Sequence, residues 1–434
     1  MMAASVIADD ANSLPLSAPD DDRPLRVCYV CGDYPTFSAG KSGGIGAHTF
    51  ALANAIRSAG HDVTVIANAD RREDLVEKGI RVRGVPLASR RQWKVGKLLP
   101  VNWLRWSSAA NRALRDLHVQ SPLDIVVMPD AYGEGFRFAL DPFVPFVVRF
   151  GGPASIVQQW DGRSVPRVRR AVERRMERLP PSRASLLVCA SRRFAEFISR
   201  EWNLDLSRFR YVRNPLDVRR FVPGSSAAGS GSPVVLFAGH VQPLKGVQDL
   251  VDAIALVAPS IPEVRVRIVG NDTRTGPDGG SFRTYLEHRL RECGAQGCVD
   301  FVATVPQDAL VAMYQQCDVF VLPSHNDVYP NAVLEAMGCG RPCIVTDTTG
   351  VAELVEKADC GRVVPPRDPA ALAAAITELL RVPREAREAM GARARRVVEE
   401  LCAPDVIARQ AVEVYREAIA MRTPDARRFA GVPT

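Results

Sequence analysis

Two successive α/β domains, each a parallel sheet wrapped by helices, are the fold the sequence predicts. Three observations carry this. Short runs such as Leu25–Val30 (apart from Arg26), Val234–Ala238 and Val319–Leu322 are apolar, as strands buried on both faces are. They alternate with segments of helical period, the signature of βαβ units. The alternation then restarts after residues 224–232, GSSAAGSGS, whose composition is that of a linker. A chain of 434 residues also exceeds one ordinary core. The expected boundaries are a disordered tail over 1–23, a first domain over 24–223, the linker 224–232, a second domain over 233–402, a helix over 403–421 and a tail over 422–434.

In the first domain, Leu25–Val30 reads as a strand, His48–Ser58 as a helix closed by Gly60, and Asp62–Ala67 as the next strand. The loop between them, GDYPTFSAGKSGGIG, is not a P-loop, because Pro35 stands where the first glycine is required. Nor does it fit the dinucleotide fingerprint. Gly43, Gly44 and Gly46 permit close backbone approach of an anion at a helix start; a merely flexible loop is the equal alternative. Strands follow at Ile80–Pro86, Asp124–Met128, Phe146–Phe150 and Ser185–Cys189, with helices at Asn102–Leu117, Arg167–Arg178 and Arg192–Arg200. Ser191 reads as the N-cap of the last of these.

The second domain reads as Val234–Ala238 (strand), Val247–Val257 (helix), Val264–Val269 (strand), Phe282–Cys293 (helix), Val299–Val302 (strand), Gln307–Gln316 (helix) and Val319–Leu322 (strand). A loop with Asp327 leads to a helix set up by Pro330 and closed by Gly338 and Gly340, then to a strand from Arg341 to Val345. Pro369–Leu380 and the charged stretch Pro383–Met421 are helical.

Composition limits the function. No run of about 18 apolar residues exists, so no transmembrane helix is expected. The acidic N-terminus lacks the order of a signal peptide. Ten scattered cysteines fit a reduced, cytoplasmic setting. Cys28 and Cys31 form a CxxC inside an apolar strand, which reads as two buried thiols, and no second pair at zinc spacing accompanies it. A net charge of +7 and a pI near 9.0 imply an anionic partner; a nucleotide or an anionic lipid surface fits, and no nucleic-acid module is present. Residues 90–106 mix Arg and Lys with Trp93, Trp103 and Trp106. This suits peripheral contact with the inner face of a membrane or a lipid-linked acceptor; a solvated loop with packed aromatics is the plainer reading.

In doubly wound domains, ligands bind beyond the C-terminal ends of the strands, and two such edges facing one another enclose a cleft. Lys245 lies on a tight turn between a strand end and Gly246, a suitable place to pair with phosphate. Asp327 and Glu335 are eight positions apart. Between them Pro330 sets a helix start whose amides at Asn331 and Ala332 present a positive dipole end. Glu335 sits in an otherwise apolar helix, where a carboxylate needs a partner and suits a sugar diol.

These residues resemble the retaining, GT-B-fold glycosyltransferases of family 4. The matching stretches are SGGIGAHTFALANAIRSAGHDVTVIA in the first domain and YVRNPLDVRRFVP before the linker. In the second they are LFAGHVQPLKGVQDLVDAIA, RVRIVGND, VDFVATVPQDALVAMYQQCDVFVLPS, EAMGCGRPCIVTDTTGVAELV and CGRVVPPRDPAALAAAI. The resemblance covers about residues 25–415 and implies two facing Rossmann-like domains with a donor/acceptor cleft between them. It also implies a last helix crossing back to the first domain, and transfer of a sugar from a UDP-, GDP- or other NDP-sugar to a glycan, lipid-linked or small-molecule acceptor without a metal.

By position, Gly43 and Gly44 match the glycine loop over the donor diphosphate, and Lys245 the phosphate-binding lysine. Asn331 and Ala332 match the diphosphate helix start, and Glu335 the ribose-binding glutamate of Glu-x7-Glu. Gly239, His240 and Gly270, on loops at the same edge, join the donor-binding set. Lys245, Asp327 and Glu335 are the expected catalytic set, with protonated His240 assisting the leaving diphosphate. Three positions depart from the family pattern: Asp327 replaces a glutamate, His240 an arginine and Gly151 a histidine. Asp130, Glu134 and Arg149, on neighbouring loops, are the candidates for acceptor or sugar contacts. A sugar-nucleotide epimerase and a degenerate binding domain are the alternatives.

Overall fold

A computed structural model describes residues 23–37, 43–87, 99–162, 164–224 and 231–421. The first sheet has eight strands: β1 Arg26–Val30, β2 Asp62–Ala69, β3 Glu73–Glu77, β4 Ile80–Pro86, β5 Ile125–Pro129, β6 Phe146–Phe150, β7 Leu186–Cys189 and β8 Phe209–Tyr211. Their order is β3-β4-β2-β1-β5-β6-β7-β8. All neighbours are parallel except β3 and β4. The second sheet has six: β9 Val234–Ala238, β10 Arg265–Val269, β11 Val299–Val302, β12 Val319–Leu322, β13 Cys343–Thr346 and β14 Gly361–Val364. Their order is β11-β10-β9-β12-β13-β14, parallel throughout. β5, β6, β7, β12 and β13 are buried along their whole length, which explains the unbroken apolar runs of β5, β7 and β12; β6 carries the buried Arg149 and β13 the buried Thr346.

In chain order the helices of the first half are α1 Gly44–Ser58, α2 Val101–Gln120, α3 Phe136–Leu140, α4 Ala154–Trp160, α5 Arg167–Arg183 and α6 Arg192–Trp202. Those of the second half are α7 Val247–Val257, α8 Phe282–Glu292, α9 Gln307–Gln316, α10 Asn331–Gly338, α11 Ala352–Lys357, α12 Pro369–Arg381, α13 Arg384–Cys402 and α14 Pro404–Ala420. The helical stretch expected from Pro383 onward is therefore two helices. The chain leaves helical geometry at Ala403 (ψ 143°), and Pro404 opens the next helix, where its missing N–H costs nothing. Ile407, Ala408, Ala411, Tyr415 and Ala418 of α14 share a hydrophobic cluster with Tyr29, Leu52 and Ile56. The hydroxyls of Tyr29 and Tyr415 lie 3.0 Å apart. The last helix is thus part of the first sheet's core.

The acid-rich strand β3 has no apolar alternation and is absent from the sequence reading. It exists as a hairpin partner of β4, joined by Lys78 and Gly79, both at positive φ (50° and 79°), the geometry of a tight two-residue turn. Helix α1 begins at Gly44, four residues earlier than the apolar pattern implied. Helix α5 continues past Arg178 through Pro180 and Pro181. All ten cysteines are free, and Cys28 and Cys31 are buried; burial pushes the Cys28 thiol up to about 12.

Each sheet has one point where its strand order reverses. In the first sheet it lies between β1 and β5, and in the second between β9 and β12. Such reversals open a crevice at the strand ends. The two domains touch beside these crevices: Gly152 faces Val328, and Gly350 packs so closely on Ser191 that a Cβ would lie 2.5 Å from the serine Cβ.

Candidate active site

At the reversal of the second sheet, the chain leaves β9 into a short 3-10 turn, Pro243–Lys245, and enters α7 through Gly246 at φ 65°. A Cβ on Gly246 would lie 1.8 Å from the Pro323 carbonyl oxygen, so only glycine lets the turn nest under the loop that leaves β12. Two further bonds fasten the loops together. His325 N donates to Leu244 O at 2.9 Å, and the His325 ring lies 2.7 Å from Asp249 of α7. The consequence is a direct contact between two residues 82 positions apart: Lys245 Nζ donates to Asp327 Oδ2 at 2.5 Å. Their side chains are 23% and 14% exposed. Without ligand, the cation and carboxylate therefore neutralise each other.

Helix α10 begins four residues beyond Asp327. Pro330 is its N-cap and no side chain caps its first amides, so they remain available to an anion. Helix α1 is likewise without a side-chain cap at Gly43. The Gly43 amide is already engaged, donating to Asp33 Oδ2 at 2.5 Å, whereas nothing lies within 4 Å of a Cβ placed on Gly44. The preceding loop residues 38–42 lie outside the described residues.

Glu335, one turn into α10, accepts a hydrogen bond from the buried Tyr314 hydroxyl at 2.9 Å. Burial raises its proton affinity, opposed by the Tyr314 bond and the Arg220 charge. Glu335, Asn331, Arg220 and Gln307 line a cavity of about 1450 Å³ that reaches Ala47 and Phe50 of α1; Lys245 and Asp327 lie outside its lining.

His240 follows Gly239, which sits at φ 156°. Desolvation and the nearby Lys245 ammonium both lower its pKa. In the ligand-free protein both effects work against the protonated His240 expected from the sequence. Gly239 and Gly270 have a packing role: a Cβ on Gly270 would lie 1.9 Å from Gly239 O, so the two loops run backbone to backbone.

Asp130, Glu134 and Arg149, expected to face sugar or acceptor, are buried and turned toward backbone instead. Asp130 accepts from Gly151 N and Gly152 N at 3.1 and 3.2 Å. Glu134 accepts from Gly32 N at 3.0 and 3.1 Å. Arg149 donates to Val212 O, Arg213 O and Asn214 Oδ1. A third buried carboxylate, Glu177 of α5, holds Tyr132 N, Ala154 N and Ser155 N. Burial pushes Asp130 and Glu134 up to about 7 and Glu177 to about 8. These groups hold the loops that leave β1, β5 and β6 from beneath. Sequence reasoning missed Glu177, Asp33, Asn214 and His325. Glu177 lies in an arginine-rich helix, and nothing in the pattern marks it as inward-facing.

Of the tryptophans in 90–106, Trp93 lies outside the described residues. Trp106 is buried, and Trp103 packs edge-on against Tyr132 at 5.6 Å. Among the described residues no helix is long and apolar enough to cross a membrane, and no group of three or more His, Cys, Asp or Glu is placed to hold a metal ion.

Comparison with known families decides the lineage. The model for Glycosyl transferases group 1 matches residues 218–397, and that for the Glycosyl transferase 4-like domain matches residues 43–215. The chain belongs to the group 1 glycosyl transferases. One curated relative, D-inositol 3-phosphate glycosyltransferase of Corynebacterium jeikeium, is 30% identical over 207 residues, 45% of this chain and 49% of that relative. The match thus spans about half the relative's length. Sucrose-phosphate synthase from Thermosynechococcus elongatus superposes with a TM-score of 0.76 at 21% identity, over 92% of this chain and 100% of that one. HepE of Anabaena, solved in complex with UDP and glucose, superposes with a TM-score of 0.65 at 17% identity, over 90% and 99%. With the two facing parallel sheets, these likenesses establish the GT-B fold for this group 1 glycosyl transferase.

Proposed function

We propose that this protein moves a sugar from a nucleotide-diphosphate sugar to an acceptor hydroxyl with retention of configuration and without a metal ion. The observation that carries the reading is the Lys245–Asp327 pair at the sheet's reversal point, beside the uncapped start of α10 and one helical turn from Glu335. The named activities of the relatives and the UDP bound to HepE support the same reading.

The chemistry follows from the charges. An arriving diphosphate draws Lys245 away from Asp327, while the α10 amides at Asn331 and Ala332 and the open amide of Gly44 take the remaining phosphate oxygens. Fixed donors of this kind stabilise the charge that grows on the leaving group, which is the task a metal performs elsewhere. Glu335 accepts from the ribose diol. Asp327, freed from its partner, accepts from hydroxyls of the transferred sugar. As the glycosidic bond breaks, an oxocarbenium-like sugar forms. The acceptor oxygen attacks from the leaving-group side, and a departing phosphate oxygen takes its proton. Closure of the domains excludes the water that would hydrolyse the donor. His240 contributes a hydrogen bond. The acceptor is a glycan, a lipid-linked or a small-molecule hydroxyl, and the setting is cytoplasmic.

The test is turnover. Nucleoside diphosphate release is measured over UDP-, GDP- and ADP-sugars with wild type, Lys245→Ala and Glu335→Ala. Both variants lose transfer steeply; near-normal turnover in both would sink the assignment. Conversion of a donor in the absence of any acceptor would instead favour an epimerase. Peripheral membrane contact through 90–106 is tested by sedimentation with anionic vesicles at low salt, and absence of binding there removes it.

A further inference from the structure

Arg149, at the end of β6, is only 4% exposed. Among the described residues no carboxylate pairs with it. Its Nη2 donates to Val212 O at 3.0 Å, Arg213 O at 3.1 Å and Asn214 Oδ1 at 2.9 Å. Residues 212–214 belong to the segment by which the chain leaves the first sheet. Asn214 is also buried, and its Nδ2 donates across the domain junction to Tyr329 O at 3.3 Å and to Asn331 Oδ1 at 2.8 Å. Asn331 is the first residue of α10 and lines the large cavity.

The chemistry of these groups fixes every amide in the chain of contacts. A guanidinium only donates, so Asn214 must present its oxygen to Arg149. Its NH2 must then face α10, where the Tyr329 carbonyl can only accept. Asn331 must therefore answer with its own oxygen, and its NH2 is left to donate elsewhere. A buried cation in the first domain thus sets the polarity of a side chain at the donor-helix start in the second.

We infer that the Asn331 side-chain amide is a hydrogen-bond donor to the nucleotide-sugar diphosphate, and that Asn214 is a positioning residue that, oriented by Arg149, holds that amide in its donating orientation. The inference rests on the transferase reading and adds a side-chain contact to the backbone amides already assigned there. Asn214 also spans the two domains, so this part of the donor site is complete only while they stay docked.

Asn214→Asp separates this role from a structural one. The aspartate keeps an oxygen for Arg149 and supplies the missing carboxylate, but its ionised form cannot donate to Tyr329 O or Asn331 Oδ1. Asn331 then turns its NH2 toward residue 214 and its oxygen toward the phosphates. The assay is calorimetric binding of UDP, GDP and ADP to the full chain, with kcat and KM for the donor that wild type uses. Asn214→Asp is expected to weaken nucleoside diphosphate binding and raise donor KM about tenfold, the scale of one hydrogen bond, with a melting temperature equal to or above wild type. Asn331→Ala is expected to lose a similar factor, and the double variant no more than the larger single effect. Wild-type affinity in Asn214→Asp overturns the inference, as do effects of the two substitutions that multiply. If wild type binds none of the three nucleotides, the transferase reading fails first and the inference falls with it, a result seen before any variant is compared.

Discussion

The Lys245–Asp327 pair makes an unusual demand: removing its carboxylate should tighten nucleoside diphosphate binding. In the free protein Lys245 Nζ and Asp327 Oδ2 are 2.5 Å apart, with side chains 23% and 14% exposed. A charge-assisted hydrogen bond of this kind contributes on the order of 1.5–3 kcal/mol. Partial exposure places it near the lower end, so an incoming diphosphate gives up about 1.5 kcal/mol to displace the carboxylate. Asp327→Asn removes most of that cost, and affinity for the free nucleoside diphosphate should rise by up to about tenfold. Transfer should nevertheless fall, because the carboxylate that orients the sugar hydroxyls is gone. Lys245→Ala does the opposite. It deletes the cationic contact and leaves Asp327 facing the phosphates, so affinity should drop roughly 10–150-fold. The double variant should recover part of that loss. Titration calorimetry with the nucleoside diphosphate that wild type binds measures all four proteins. Weaker binding by Asp327→Asn, or a double variant no better than Lys245→Ala, would refute the reasoning.

Three further outcomes follow from the same structure. The buried carboxylates at about 7, 7 and 8 (Asp130, Glu134 and Glu177) lie above the ordinary carboxylate value, so the folded state holds their protons more tightly than the unfolded state. Their contribution to stability is full below about pH 4 and is lost as pH rises through 7–8; thermal melts should show a falling melting temperature from pH 6 to 9, with a shallower slope in Glu177→Gln. Gly246→Ala forces a Cβ against Pro323 O at positive φ, costing at least about 1–3 kcal/mol in strain and displacing Lys245; a melting temperature within error of wild type, with normal donor KM, counts against the nested-loop geometry. Glu335→Gln preserves the side-chain shape and should cost about tenfold in nucleoside diphosphate affinity. Wild type should discriminate against a 2′,3′-dideoxy nucleotide and the variant much less, so equal discrimination in both would remove Glu335 from the ribose.

The strand–helix alternation was legible because parallel strands buried on both faces are apolar without interruption, as in β5 and β12. The placement of Lys245 and Asp327 at strand ends and of Asn331 and Glu335 on one helix was legible because short motifs beside glycine and proline mark strand ends and helix starts. What was hidden depends on distant pairing. The acidic strand β3 exists only through β4. His325 and Asp249 become partners only when two loops nest, and Glu177 is buried by neighbours on α4. Arg149 and Asp130 were found as charged residues near the cleft, but sequence gives no sign of which way a side chain turns. Buried charges satisfied by backbone look the same in sequence as charges offered to a substrate.

The central claim is that this chain binds a nucleotide-diphosphate sugar between the Lys245 turn and the start of α10. The most direct measurement is nucleoside diphosphate release from UDP-, GDP- and ADP-sugars, by wild type and by Lys245→Ala, with and without acceptor hydroxyls. The account predicts that one donor class is consumed by wild type, faster with acceptor, and at a small fraction of that rate by the variant. Consumption unaffected by Lys245→Ala would contradict it, as would no binding or consumption of any of the three donors.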